Sequence, residues 1–193
     1  FRSPLRERCR EALAMSHRDL DRKTREYSRG MRQKVGIIGA LQSAPKLALL
    51  DEPTEGLDPL VKHSLLELMK EIRSKLGGTI FFSSHILSEV EQIADTAAII
   101  RKGKIVASGN MEELIHTGRK KVTVVFKEDT TAEKFLTKYP VKTERRGKML
   151  SFLAKSNLDE LVDALHDFQL EDLKISDPTL ELIFLEFYQD ENE

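Results

Sequence analysis

The most restrictive stretch of this sequence runs from Leu47 to Pro59, LALLDEPTEGLDP. Its apolar run, Leu47-Ala48-Leu49-Leu50, fits a short strand buried on both faces, as strands of a parallel sheet are. The run stops at adjacent carboxylates, Asp51 and Glu52, followed directly by Pro53. In open α/β sheets ligands sit outside the carboxyl ends of the strands, so this acid points at a ligand crevice. There an Asp can hold a hydrated Mg²⁺ through its water shell, and a neighbouring Glu can polarise an attacking water. A strand end that merely feeds a turn or a helix cap shows the same Asp-Glu pair, and the surrounding sequence has to separate the two.

Length and charge narrow the classes. A chain of 193 residues with 40% hydrophobic content holds one large or two small cores. A net charge of −1 and a pI near 6.6 leave no electrostatic footprint for nucleic acid. The one cysteine, Cys9, cannot form an internal disulfide, which fits a reducing cytosol. No apolar run approaches the ~18 residues of a spanning helix, so a role at a membrane comes through a partner. The chain begins at Phe1 without a Met and shows no signal-peptide pattern, which suggests a start inside a longer gene product.

Ahead of the acidic strand, residues 4–14 read as a charged amphipathic helix with Leu5, Cys9, Ala12 and Leu13 at helical spacing. A polar stretch, residues 17–26, leads to Tyr27-Ser28-Arg29-Gly30-Met31-Arg32-Gln33-Lys34. Ser28 is a good N-cap for a helix carrying Met31, Val35, Ile38 and Leu41 on one face, ended by Ala44-Pro45. A helix N-terminus with a hydroxyl and a glycine suits a phosphate, although an ordinary capped helix has the same residues. Beyond the acid, Asp58 as N-cap and Pro59 as first residue open a long helix. Leu65, Leu68, Met69, Ile72 and Leu76 form its buried face, and Gly77-Gly78 closes it. Residues 79–83 make the next buried strand, with Ser84-His85 at its carboxyl end beside the same crevice. A helix carrying Leu87, Val90, Ile93 and Ala94 follows, for which an isolated His85 would be a capping or solvent-facing residue. A hairpin over Lys102-Gly103 and a short helix over residues 111–116, capped by Asn110, complete this half.

These segments together resemble ABC-type ATPases. Residues 27–34 look like the family's signature motif, residues 47–52 like its Walker B strand, Glu55-Gly56-Leu57-Asp58 like the D-loop and Ser84-His85 like the H-switch. Order and spacing match from Tyr27 to Gly109. Arg29 stands where the usual LSGGQ pattern has its first Gly, and Met31 where it has Gln. Such variants resemble ATPases of multidrug, lipid and ABC-2-type exporters. The resemblance implies ATP and Mg²⁺ as cofactors, Glu52 and His85 as catalytic residues, and Asp51 as the metal-shell residue. It implies that two copies, or a paired ATPase subunit, meet head to tail, with Ser28, Arg29, Gly30 and Met31 contacting the partner's nucleotide. It also implies that Asp58 couples the two sites and that His85, as a neutral imidazole, donates towards the γ-phosphate. Transmembrane permease subunits would be the further partners, at the inner face of the cell membrane, and nucleic acid would not.

The glycine-rich phosphate loop of such ATPases, G-x-x-x-x-G-K-[ST], does not occur in the sequence. Gly30, Gly36 and Gly39, the glycines ahead of the acidic strand, are not spaced to supply it. The expectation is therefore the C-terminal part of a P-loop ABC nucleotide-binding domain, its helical subdomain plus parallel-sheet strands, in residues 1–118. Such a part should not hydrolyse ATP alone, and its sheet should carry at least one unnatural edge, with marginal stability or compensating self-association. Residues 119–193 read as β-α-β-β-α-β plus a helix, a small ferredoxin-like α+β domain. Its second helix shows Leu158, Leu161, Val162 and Leu165 on one face. His166 reads as a solvated side chain there, and Phe184, Leu185, Phe187 and Tyr188 as core or as a partner surface. The ending from Asp177 to Phe184 resembles accessory domains behind exporter-type ABC ATPases. Two other functions compete with a transporter ATPase: a soluble ABC-type ATPase of DNA repair or translation, and a non-enzymatic regulatory module. The near-neutral charge opposes the first, and the intact Asp51, Glu52 and His85 oppose the second.

Overall fold

The computed structural model describes residues 4–115, 119–155 and 158–189. Packing divides the chain between Ala94 and Asp95 into two units, each around its own apolar cluster.

In the first unit, α1 (Pro4–Ala12) buries Cys9, and a short α2 (His17–Leu20) interrupts the polar stretch behind a Ser16/Asp19 capping box. Helix α3 (Arg29–Leu41) starts where the sequence places it: the Ser28 hydroxyl accepts from the Met31 amide at 3.2 Å. Strand β1 (Leu47–Leu50) and strand β2 (Thr79–Phe82) pair in parallel, Leu47 opposite Thr79 through Leu50 opposite Phe82. The connection is α4 (Pro59–Leu76), whose Asp58 cap accepts from the Val61 amide at 3.1 Å. Gly77, at φ 66°, ends it in the left-handed conformation that only glycine adopts at little cost. The core combines Leu65, Leu68, Met69 and Ile72 of α4 with Ile37, Ile38 and Leu41 of α3, with Cys9 and Leu13, and with Ala48 and Leu50 of β1. Leu76, expected on that face, is half exposed at the helix end. Helix α5 (Leu87–Ile93) closes the unit.

The strands differ from the both-faces-buried expectation. Leu47, Leu49 and Phe81 are 57%, 70% and 68% exposed, while Ala48 and Leu50 are buried. Side chains alternate across a strand, and α3 and α4 cover one face of β1 and β2, so odd-numbered positions turn to the open one. Among the described residues the sheet has two strands, both therefore edges.

The second unit opens with an antiparallel hairpin, β3 (Thr96–Arg101) and β4 (Lys104–Asn110). Its turn residues Lys102 and Gly103 both have positive φ, 47° and 75°, as a type I′ hairpin requires. Helix α6 (Met111–Ile115) starts with the Asn110 side chain accepting from the Glu113 amide at 2.7 Å; His116, expected as its last residue, lies outside the described residues. Then follow β5 (Arg119–Phe126), α7 (Asp129–Lys138), β6 (Thr143–Arg146), β7 (Met149–Lys155), α8 (Asp159–Leu165) and β8 (Leu170–Ser176). They form an antiparallel sheet in the order β6-β7-β5-β8, which is the ferredoxin-like arrangement. Val122, Val124 and Phe126 of β5 and Leu150 and Phe152 of β7 meet Phe135 of α7 and Leu161 of α8. Val162, expected among them, is 56% exposed, because the buried face of α8 centres on Leu161, Ala164 and Leu165. His166 is solvent-exposed beside Asp167. In the last helix, α9 (Leu180–Gln189), Leu180 and Ile183 are buried and Leu185 is exposed; the side chains of Phe187 and Tyr188 lie outside the described residues.

Candidate functional site

Because β1 and β2 run parallel and end level, whatever follows one lies beside whatever follows the other. The Ser83 amide donates to the Leu50 carbonyl at 3.0 Å, extending the ladder by one rung. Beyond it the Ser83 hydroxyl donates to Asp51 Oδ1 at 2.6 Å and accepts from the Glu52 amide at 2.9 Å. One hydroxyl thus fixes both members of the acid pair. Glu52 adopts φ 44°, a left-handed conformation that costs a non-glycine residue about 1–3 kcal/mol and persists only where its surroundings impose it. They do: Ser83 holds its amide, and the Gln33 side chain of α3 donates to the carbonyls of Glu52 and Pro53 at 3.3 and 3.2 Å. The strained turn aims the carboxylate back over the strand ends.

There it meets His85, whose Nδ1 is 2.9 Å from Glu52 Oε2. Both side chains reach solvent, His85 at 65% and Glu52 at 31% exposure. An ionised carboxylate only accepts, so Nδ1 carries the proton in this contact. A neutral ring then presents Nε2 as an acceptor. Donation from His85 to a phosphate therefore requires the imidazolium, or release of the Glu52 contact.

The structure thus brings Asp51, Glu52 and His85 together, with Ser83 among them. Asp58 stands apart at the start of α4, where its carboxylate is engaged by the Val61 amide. Ser28 caps α3 and residues 29–31 open its first turn, with the Met31 amide taken by the Ser28 hydroxyl at this helix N-terminus. Arg29 is almost fully exposed, with its guanidinium 3.9 Å from Glu55. The space over Gly30 is open: an added Cβ would meet nothing within 4 Å. The Met31 side chain packs against the core. A hard cation takes oxygen ligands, and Mg²⁺ keeps much of its water; Asp51, with one oxygen on the Ser83 hydroxyl, supplies a carboxylate of that kind. Among the described residues no cluster of three His, Cys, Asp or Glu could hold a metal by itself, so any Mg²⁺ here would need water and phosphate oxygens.

Ser83 and Gln33 join the site through the fold and are not among the residues that the sequence motifs point to. A signal for Ser83 was available: it follows Ile80-Phe81-Phe82 as Asp51 follows the run ending at Leu50, and parallel pairing sets the two level. Gln33 has no such signal, since its reach depends on how α3 packs.

Comparison with known proteins adds relatives. A family model described as "AAA domain, putative AbiEii toxin, Type IV TA system" matches residues 16–91. An uncharacterized ABC transporter ATP-binding protein of Synechocystis sp. is 36% identical over 83% of this chain and 45% of its own. The daunorubicin resistance ATP-binding protein DrrA3 of Streptomyces coeruleorubidus is 34% identical over 90% of this chain and 58% of its own. The bacitracin transport ATP-binding protein BcrA of Enterococcus faecalis is 39% identical over 54% of this chain and 34% of its own. The chain spans about half the length of the curated relatives it matches. Over most of its own length, then, the chain is similar to proteins named as ABC transporter ATP-binding proteins.

Proposed function

We propose that this chain is part of the ATP-binding and ATP-hydrolysing subunit of an ABC transporter of the exporter kind. The observation that carries the reading is the cluster of Asp51, Glu52, Ser83 and His85 at the carboxyl ends of two parallel strands. The name of the bacitracin relative supports transport, and that of the daunorubicin resistance relative favours export. Residues 1–118 would be the nucleotide-binding part and residues 119–193 an accessory domain.

In this mechanism Glu52 is the general base, a role worth roughly 10²–10⁴ in rate. His85 orients its carboxylate through Nδ1, leaving Oε1 to take the proton of the attacking water. Bound Mg²⁺, held through Asp51, would neutralise phosphate charge. Ser28 and the open backbone at Gly30 would close on the nucleotide held by a second copy, adding helix-terminus stabilisation of negative charge. Asp58 would face that copy and couple the two sites. No helix among the described residues is long and apolar enough to cross a membrane, so transmembrane permease subunits would convert closure into transport. Without the phosphate loop, the 193-residue chain by itself should not turn over Mg-ATP.

The test extends the gene upstream to include a phosphate loop and compares Mg-ATP turnover and ATP-dependent dimerisation with Glu52→Gln. Turnover should fall by about 10²–10⁴ while ATP still holds the dimer. Unchanged turnover in the variant, or absence of both turnover and dimer in the parent, would overturn the reading.

A further inference from the structure

Among the described residues, Thr54 and Glu89 are the buried polar side chains of the first unit, 2% and 7% exposed, and they bond to each other. The Thr54 hydroxyl donates to Glu89 Oε2 at 2.5 Å, and the Ser84 hydroxyl donates to the same oxygen at 3.3 Å. Lys62 Nζ lies 3.5 Å from Oε1. The three donors belong to three different segments. Thr54 sits in the turn that leads from Glu52 to Asp58. Ser84 directly precedes His85, and its hydroxyl also accepts from the Ile86 amide at 3.0 Å, bracketing the histidine. Lys62 is in the first turn of α4, its amide bonded to the Asp58 carbonyl at 2.9 Å. A carboxylate this far from water is tolerated only with its donors in place, so each donor is held where Glu89 is. Glu89 itself is placed in the first turn of α5, where the helix N-terminus favours its charge.

We propose that Glu89 is a positioning residue that locks the turn carrying Asp58 to the segment carrying His85, so that the Glu52–His85 pair and Asp58 keep one fixed relation. The proposal deepens the hydrolytic reading and rests on it for its catalytic consequence. Glu89 touches none of the reacting groups. It acts through Thr54, Ser84 and Lys62.

The test reads the His85 ring nitrogens by NMR in the 193-residue chain without nucleotide, so that it does not depend on turnover. Thr54→Val keeps shape and removes one donor, and Glu89→Ala removes the acceptor. Both should move the His85 signals from a fixed Nδ1–H donor towards those of a freely exchanging histidine. Glu89→Gln, whose amide oxygen still accepts from Thr54 and Ser84, should restore most of the native signature. Should Glu89→Ala not fold, Thr54→Val decides alone. A native His85 signature in folded Thr54→Val overturns the proposal, as does failure of Glu89→Gln to differ from Glu89→Ala. In the upstream-extended protein, Thr54→Val should lower kcat at least about tenfold with KM unchanged; an unchanged kcat overturns the catalytic consequence. An NMR effect without turnover in the parent would sink the ATPase reading and leave the positioning role standing.

Discussion

The two sheets of this molecule solve the same problem differently. The four-stranded sheet of the second unit closes a core by itself: Val122, Val124, Phe126, Phe135 and Leu150 are fully buried, with the Phe126 and Phe135 rings 5.3 Å apart. The two-stranded sheet of the first unit is sealed on one side and leaves Leu47, Leu49 and Phe81 open on the other. A ferredoxin-like unit carries both helices that cover its inner face, so the apolar residues of that face are buried within one continuous segment. A parallel pair is covered on both sides only when further elements supply a second layer. The lesson is that equal hydrophobicity along two strands does not mean equal burial; the supply of covering elements decides.

That contrast can be broken by mutation. Phe135→Ala removes a fully buried ring and should destabilise the second unit by about 3–5 kcal/mol, read by urea unfolding and by loss of amide protection in β5. Asp58→Ala removes the cap of α4 and should cost the first unit about 1 kcal/mol, read by the same titration followed at β1 amides. Phe81→Ser deletes a ring of similar size from the open face, yet it should change stability by no more than about 0.5 kcal/mol. Sedimentation should then report less self-association for that variant. A Phe81→Ser loss comparable to that of Phe135→Ala would mean that the open face is covered in solution.

The smallest effect concerns acid. Hydrogen bonding from Arg8 holds the Glu71 carboxyl below its ordinary range in the first unit, and hydrogen bonding from Lys138 does the same for Asp167 in the second. A folded-state pKa below the unfolded one contributes stability above the unfolded value, about 4.3 for Glu and 3.9 for Asp, and that stability is lost as pH falls through the folded value. Urea midpoints compared at neutral and acid pH should therefore fall less steeply for Glu71→Gln in the first unit, and for Asp167→Asn in the second. Both groups are exposed, so the changes are slight.

Much of the site was legible before any coordinates. Ser28 and Asp58 cap the helices that their sequence context announces, because an N-cap works through contacts within one turn. The carboxyl-end placement of Asp51, Glu52 and His85 followed from two short apolar runs that end in polar residues. Local interactions are encoded within a few residues, so the sequence by itself determined the helix starts, the turn at Lys102-Gly103, the β-α-β-β-α-β order and the members of the acid cluster. Long-range packing decided the rest. It turned Leu47, Leu49 and Phe81 outward, put the Ser83 hydroxyl between Asp51 and Glu52, and brought Gln33 to the Glu52 carbonyl. It also buried Glu89 against Thr54, Ser84 and Lys62. These contacts join residues up to 35 positions apart, and which of them form depends on the docking of whole elements, which no spacing in the sequence states.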